Sequence, residues 1–397
     1  MQTAFRHKRH GIAAAVLAAV MLPVSGCGSV PESEAPTLPD ITAEVTLPVT
    51  TEQTSVAAST SEQTTSAAQT ESTAAVTETS TQTVTAVQST KMTAAAFGET
   101  RVINGITVLD AGTDHARALD GFYGNYNVGT LFAQTVNRWK TAVGDDVRVW
   151  CMAAPTSQAF YKPAGMPEYN GSQLDQWNNI EQNLQGVTGV PLFDALAPHK
   201  DEEIYARTDY HWFARGAYYA ASAFAELAGL PSAPLDSYEA VTRDGYLGAF
   251  YRVNKIAELE VAPEQFTYYK PDNLSQLQCT VYDTSYRNPA AGSLFKESLP
   301  IGSSYQIFGG KDDIILEVRT NAGTGRVLVI FKDSFGNALV PFLTHSFDKI
   351  VLCDYRYFNP DPVTFIRNEG ATDLLICMAT ANIMSRTKTE QLGALLQ

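Results

Sequence analysis

Residues 327–343 read VLVIFKDSFGNALVPFL. The near-continuous apolar run Val327 to Phe331, rich in β-branched residues, fits a strand covered on both faces. Lys332, Asp333, Ser334, Phe335, Gly336 and Asn337 break that run, and a helical pattern follows over 338–345. Working outward, apolar runs of the same kind occupy 147–153, 350–353 and 374–378. Helical patterns fall at 128–143, 174–184, 214–228 and 361–368. Strands alternating with helices predict an α/β fold: a parallel sheet flanked by helices. The stretch 231–321 differs, being rich in Tyr and turn residues with strand-like pieces at 278–282 and 314–318. It reads as a β-rich insertion beside the main sheet.

The N-terminus has another character. Arg6, His7, Lys8, Arg9 and His10 precede an apolar run from Ile12 to Leu22, too short for a bilayer span, which is the pattern of a secretory signal over 1–26. The run closes on Val24, Ser25, Gly26 and Cys27, which resembles a lipobox, so Cys27 is expected to be cut free and lipidated. That places the protein on the extracellular face of the cell membrane, held by a lipid anchor. Residues 27–96 then form a Thr/Ser-rich tether without aromatic residues, unable to bury enough apolar surface to offset ordering entropy. Residues 97–397 hold nearly all the aromatic residues and suffice for one large domain.

A formal charge of −14 excludes nucleic acid and anionic lipid as expected partners, since those need a basic stripe. Of the five cysteines, Cys151, Cys353 and Cys377 sit in apolar runs as core thiols, and Cys279 sits in a more polar segment. No Cys/His spacing suggests zinc or a redox pair, so neither metal nor cofactor is expected.

In open α/β sheets ligands bind outside the carboxyl ends of the strands, so the chemistry is sought there. Ser334 follows one such strand at a helix start, where it is either an exposed nucleophile or an N-cap. Arg207-Thr208-Asp209-Tyr210-His211-Trp212 precedes the helix 214–228, with Gly216 and Ala217 packing its first turn. Asp209 two residues before His211 forms a compact acid/base pair, a structural histidine beside a capping acid, or two metal ligands. A metal-dependent reading would add Asp333. The turn Pro155-Thr156-Ser157 ends a strand as well and is a lesser candidate for lining the cleft.

The run 204–219, IYARTDYHWFARGAYY, resembles the signature of the DHHW family of Gram-positive bacteria, with Tyr210 where the family usually carries His. Residues 152–163, MAAPTSQAFYKP, and 331–384, with KDSFGNALVPFL and then IVLCDYRYF, are similar to that family too. The family resembles the SGNH hydrolases, and especially alginate-acetylating proteins. The resemblance implies an SGNH-hydrolase-like, flavodoxin-like sheet with its motifs in permuted order. It also implies Asp209 as orienting acid, His211 as base and Ser334 as nucleophile. Arg356, then Gly336 and Asn337, are the candidates for oxyanion or substrate contacts, with Trp212 and Tyr210 beside them.

The expected function is a cell-surface serine acyl-ester enzyme, an O-acetyltransferase or acetylesterase on extracellular polysaccharide or cell-wall glycan. The partners are that glycan and a membrane-bound O-acyltransferase. The alternative is a non-catalytic glycan-binding lipoprotein of the same fold.

Overall fold

The structure, a computed structural model, describes residues 99–309 and 311–397. The expected signal, Cys27 and the Thr/Ser-rich tether lie outside the described residues.

A small antiparallel sheet comes first, of β1 (Arg101–Ile103), β2 (Ile106–Leu109) and β3 (Arg117–Leu119). The helix Tyr126–Val143 follows; the Asn125 side chain caps it by accepting from Val128 N–H, and it ends at Gly144 with φ 86°. Next come β4 (Arg148–Ala154), the helix Gln173–Gln182, β5 (Val187–Gly189) and the helix Ala214–Leu227. An antiparallel hairpin of β6 (Glu239–Tyr246) and β7 (Glu264–Lys270) precedes β8 (Gln278–Tyr282), β9 (Ala290–Ala291) and β10 (Ile315–Arg319). The chain closes with β11 (Val327–Lys332), β12 (Lys349–Asp354) and β13 (Asp373–Ala379), then the terminal helix Arg386–Ala394.

Eight strands form the main sheet in the order β5-β4-β13-β11-β12-β10-β8-β9. The first five are parallel, and β10, β8 and β9 continue the sheet antiparallel. The sheet is therefore mixed, which corrects the expectation of a parallel sheet with the 231–321 segment lying beside it. Parallel neighbours need a long crossover, usually helical, whereas antiparallel ones do not. Between β8 and β10 the described residues supply the short strand β9 and the 3-10 segment Ile301–Ile307 but no α-helix, and the chain returns antiparallel and extends the sheet. Of the 231–321 segment's strands, the β6–β7 pair stays outside the main sheet.

Both faces are covered, as the apolar runs require. On one side Leu328, Ile330, Leu352 and Cys377 pack with residues of the helix Ala214–Leu227 and of Ser334–Leu343. On the other, Val329, Phe331, Val351 and Ile376 pack with Phe132, Trp139 and Phe365. Burial of each such side chain contributes roughly 1.5–3 kcal/mol. Cys151, Cys353 and Cys377 are free, buried thiols within these layers. A third cluster packs Val108 and Ala118 of the small sheet against Phe250, Ile256 and Leu259.

The helix expected over 338–345 is a 3-10 helix, Ser334–Leu343, that starts four residues sooner. Asp333 caps it by accepting from Phe335 N–H at 3.0 Å, and Pro341 within it cannot donate a backbone hydrogen bond. From β11 the chain passes through this helix to β12 on one side. From β12 it crosses through the helix Pro362–Asn368 to β13 on the other side. The carboxyl end of β11 is thus a switch point of the sheet, the place where α/β folds leave a crevice.

Candidate active site

Ser334 stands at that switch point as the first residue of the 3-10 helix, not as its cap. Asp333 is fully buried: Oδ1 takes the Phe335 N–H, and Oδ2 takes Ala379 N–H at 2.8 Å and Asn382 Nδ2 at 2.6 Å. The turn is thereby fastened to the end of β13. Gly336 N–H donates to the Asp333 carbonyl at 3.1 Å. Ser334 N–H has no acceptor among the described residues.

The partner loop arrives from the other motif. Tyr205 and Trp212 form an isolated antiparallel bridge, and Phe213 N–H donates to Ile204 O at 2.9 Å, closing the loop that carries Asp209 and His211. Gly216 is required beside it, because a Cβ there would lie 2.4 Å from Ile204 O. Glu264, buried on β7, accepts from Arg207 N–H at 2.7 Å and from Thr208 N–H at 2.8 Å and Oγ1 at 2.6 Å. Burial pushes the Glu264 carboxyl up, against those hydrogen bonds and Arg207.

This framework brings three side chains into line. His211 Nδ1 lies 2.7 Å from Asp209 Oδ1, and His211 Nε2 lies 2.7 Å from Ser334 Oγ. With the proton on Nδ1, the imidazole donates to Asp209 and accepts from the serine hydroxyl. Asp209 and His211 are buried, at 3% and 6% exposure, while Ser334 is partly open. Asp209 Oδ2 also accepts from Tyr246 Oη and from Ala249 N–H, both at 2.7 Å. Burial works to raise this carboxyl, but His211 and those donors outweigh it and hold it below the usual carboxylate range. Gly248 admits Asp209, since a Cβ at Gly248 would sit 2.4 Å from the Asp209 Cβ. The Tyr305 ring stacks on His211 at 3.7 Å and 10°, and its hydroxyl donates to Ser334 O at 3.0 Å.

The remaining sequence candidates are placed differently. Arg356 is held by Asp354, with Nε to Oδ1 at 2.7 Å, and by Asp312 at 2.9 Å. Asn337 Nδ2 donates to Asp312 Oδ1 at 3.0 Å. Both belong to a charge network around Lys332, a buried cation 2.8 Å from both Asp354 and Asp312. Gly336 leaves room for the Lys332 stem, whose Cβ would be 2.5 Å from an added Cβ. Trp212, fully buried, donates to Phe335 O at 3.2 Å. The Tyr210 ring lies against His211, centroids 4.3 Å apart. Thr156 is buried, its N–H bonded to Gln173 Oε1 at 2.9 Å. The structure therefore unites Asp209, His211 and Ser334, and gives Arg356, Asn337 and Gly336 other partners. Among the described residues no three ligand-type side chains gather into a metal-holding group.

Tyr246, Gly248, Glu264 and Tyr305 were not singled out from the sequence. All four come from the 231–321 segment, where only the turn residues Gly245 and Gly248 around Tyr246 hinted at a close approach.

The fold and site define an α/β protein with a serine, histidine and aspartate in hydrogen-bonded series at the carboxyl edge of its sheet. The chain belongs to the DHHW family: the family model described as DHHW protein matches residues 175–353. A DHHW family protein from Eubacterium siraeum is similar at 36% identity, with a TM-score of 0.70 over 75% of this chain and 98% of that one. Bacillus cereus PatB1 with a sulfonyl adduct is similar in fold at 19% identity, with a TM-score of 0.56 over 71% of this chain and 97% of that one. The O-acetyltransferase domain of Pseudomonas putida AlgJ is more distant, at 13% identity and a TM-score of 0.39 over 75% of this chain and 98% of that one. Comparison with curated proteins gives no match. No helix among the described residues is long and apolar enough to cross a membrane.

Proposed function

We propose that the domain is a serine acyl-ester enzyme of SGNH-like, permuted order. It transfers an acetyl group to, or removes one from, an extracellular polysaccharide or cell-wall glycan. The observation that carries this reading is the 2.7 Å approach of Ser334 Oγ to His211 Nε2, with Asp209 2.7 Å from the far nitrogen. His211 takes the hydroxyl proton as Ser334 Oγ attacks the ester carbonyl carbon. The Ser334 N–H is a donor to the oxyanion that forms. The leaving alkoxide takes the proton from His211, which leaves an acetyl-serine. A sugar hydroxyl or water then gives its proton to His211, attacks that ester and releases Ser334. A sugar acceptor makes a transferase and water an esterase. The sulfonyl adduct of the Bacillus cereus protein of like fold supports a covalent reading.

The same proposal places the protein on the outer cell surface through lipid on Cys27, with a membrane-bound O-acyltransferase as acyl donor. Incorporation of labelled palmitate that disappears in Cys27→Ser would support the anchor; persistence would remove it.

The test of chemistry is release of p-nitrophenol from p-nitrophenyl acetate by residues 97–397, against Ser334→Ala and His211→Ala matched by circular dichroism. Each substitution is expected to lower the rate by about a thousandfold or more. A phenylmethylsulfonyl label should map to the Ser334 peptide and vanish in Ser334→Ala. Unchanged hydrolysis in Ser334→Ala would turn the reading toward a non-catalytic glycan-binding module.

A further inference from the structure

Most large aromatic rings of the described residues are buried, but four tyrosines are exposed, Tyr357 after β12 and a group of three. Tyr123, Tyr169 and Tyr126 are 65%, 48% and 45% exposed, and Leu174, on the helix after Tyr169, is 45% exposed. The rings of Tyr123 and Tyr169 stack, with centroids 5.0 Å apart and planes 21° from parallel. Exposed apolar surface of this kind needs a reason, because each ring forgoes the gain of burial.

The pair is built, not incidental. Tyr123 and Tyr169 join two loops through a parallel bridge, and Gly124 N–H donates to Tyr169 O at 2.8 Å. Asn170 Nδ2 donates to Gly124 O at 3.2 Å, and the fully buried Gln176 ties Asn170 O at 2.7 Å and Asn125 N–H at 3.1 Å. Asn170 adopts φ 58°, a left-handed conformation that a non-glycine residue takes at some cost. Gly124 has no room for a side chain, since its Cβ would meet Asn170 O at 2.5 Å. Rings held this firmly pay little ordering entropy when something lies against them.

Two observations relate the pair to the edge that carries Ser334. The helix that follows the Tyr169 loop is pinned to the carboxyl end of β4 through Gln173, whose Nε2 donates to Thr156 Oγ1 at 2.8 Å. Adjacent strands lie about 4.8 Å apart, so the end of β4, two strands from β11, is about 10 Å away. On the other loop Tyr123 follows Asp120 by three residues, a reach of about 10 Å, and the Asp120 carboxyl feels the charges of Asp209 and His211. A cavity of about 330 Å³ opens next in sequence to Tyr169, with Glu168, Ser172, Gln173, Gln158, Lys162 and Asp194 in its wall.

We infer that Tyr123, Tyr169 and Tyr126 form a binding platform for a glycan chain, which they lay along the carboxyl edge toward Ser334. This rests on the acyl-ester reading above for its purpose, but not for its chemistry. An open aromatic face suits the C–H face of a pyranose, and the amides and hydroxyls of the neighbouring cavity suit its hydroxyl groups. A β-1,4-linked chain with equatorial substituents presents such faces at every residue. The charge of −14 selects a neutral chain over an anionic one.

The experiment titrates the full-length protein with the neutral N-acetylglucosamine hexamer in a calorimeter. Tyr123→Ala and the double variant Tyr123→Ala/Tyr169→Ala are expected to raise Kd about tenfold and more than tenfold, and Tyr123→Trp to keep the wild-type value. Equal affinity in wild type and Tyr123→Ala, or a wild type that takes up no hexamer at millimolar concentration, overturns the platform. Hydrolysis of p-nitrophenyl acetate by the same wild-type protein separates the two proposals. Weakened binding without Ser334-dependent hydrolysis keeps the platform and sinks the enzyme. Ser334-dependent hydrolysis with unaltered binding does the reverse.

Discussion

Asp209 is the residue on which the site turns, since it accepts from His211, Tyr246 and Ala249 at once. Asp209→Asn keeps the shape but presents an amide to the imidazole, favouring the wrong tautomer. Its ester hydrolysis is expected to fall by about a thousandfold or more, with little loss in thermal midpoint. Tyr246→Phe deletes one donor and leaves the Ala249 N–H, so a fall of roughly tenfold is expected. Near them lies Asp120, whose carboxyl burial and Asp209 push up to about 6 against the pull of His211. The folded protein holds that proton more tightly than the unfolded chain does. Its contribution to stability is therefore fully present below the unfolded value and is lost as pH rises through about 6. Asp120→Asn should raise the thermal midpoint at pH near 8 and leave it alone at pH near 3, by scanning calorimetry; equal shifts at both would refute this sign.

At the scale of elements, the strand β11 and the turn after it carry an unusual burden. Lys332 is buried at 2% exposure against Asp354 at 2%, on a strand otherwise filled by Leu, Val, Ile and Phe. Lys332→Met strands the Asp354 carboxylate with Arg356 alone, and urea denaturation should show about 3 kcal/mol lost. Adding Asp354→Asn should restore more than half; no restoration would mean the loss comes from packing. The sequence made the central strands legible because burial on both faces leaves one apolar run in each, at 147–153, 327–331, 350–353 and 374–378. Asp209, His211 and Ser334 were legible because strand end, helix start and family signature coincide on them. β5, three residues long with Gly189 in it, has no comparable run. Tyr246, Glu264 and Tyr305 act through tertiary contacts across tens of residues, and nothing local marks a tyrosine that will stack on a distant histidine. The oxyanion candidates Arg356 and Asn337 are engaged by Asp354 and Asp312, carboxylates that no local pattern in the sequence pairs with them.

For the whole molecule, the described residues form three apolar clusters, whereas the sequence over 30–95 holds no aromatic residue and no apolar period with which to join such a core. Removal of residues 1–96 is therefore expected to leave the thermal midpoint unchanged, and a clear fall would show that the leader packs against the domain. The three aligned side chains depend on that completed fold, because 123 residues separate His211 from Ser334. The β6–β7 hairpin and the Tyr305 segment that brace them lie in the interval. A polypeptide that leaves a ribosome or a translocation pore amino end first has its base outside long before its nucleophile. Until the last parallel strand, β13, has emerged, the turn at Asp333 has nothing to fasten to. On the acyl-ester reading proposed above, nascent molecules are thus chemically silent, and reactivity toward esters begins only once the chain is all but complete.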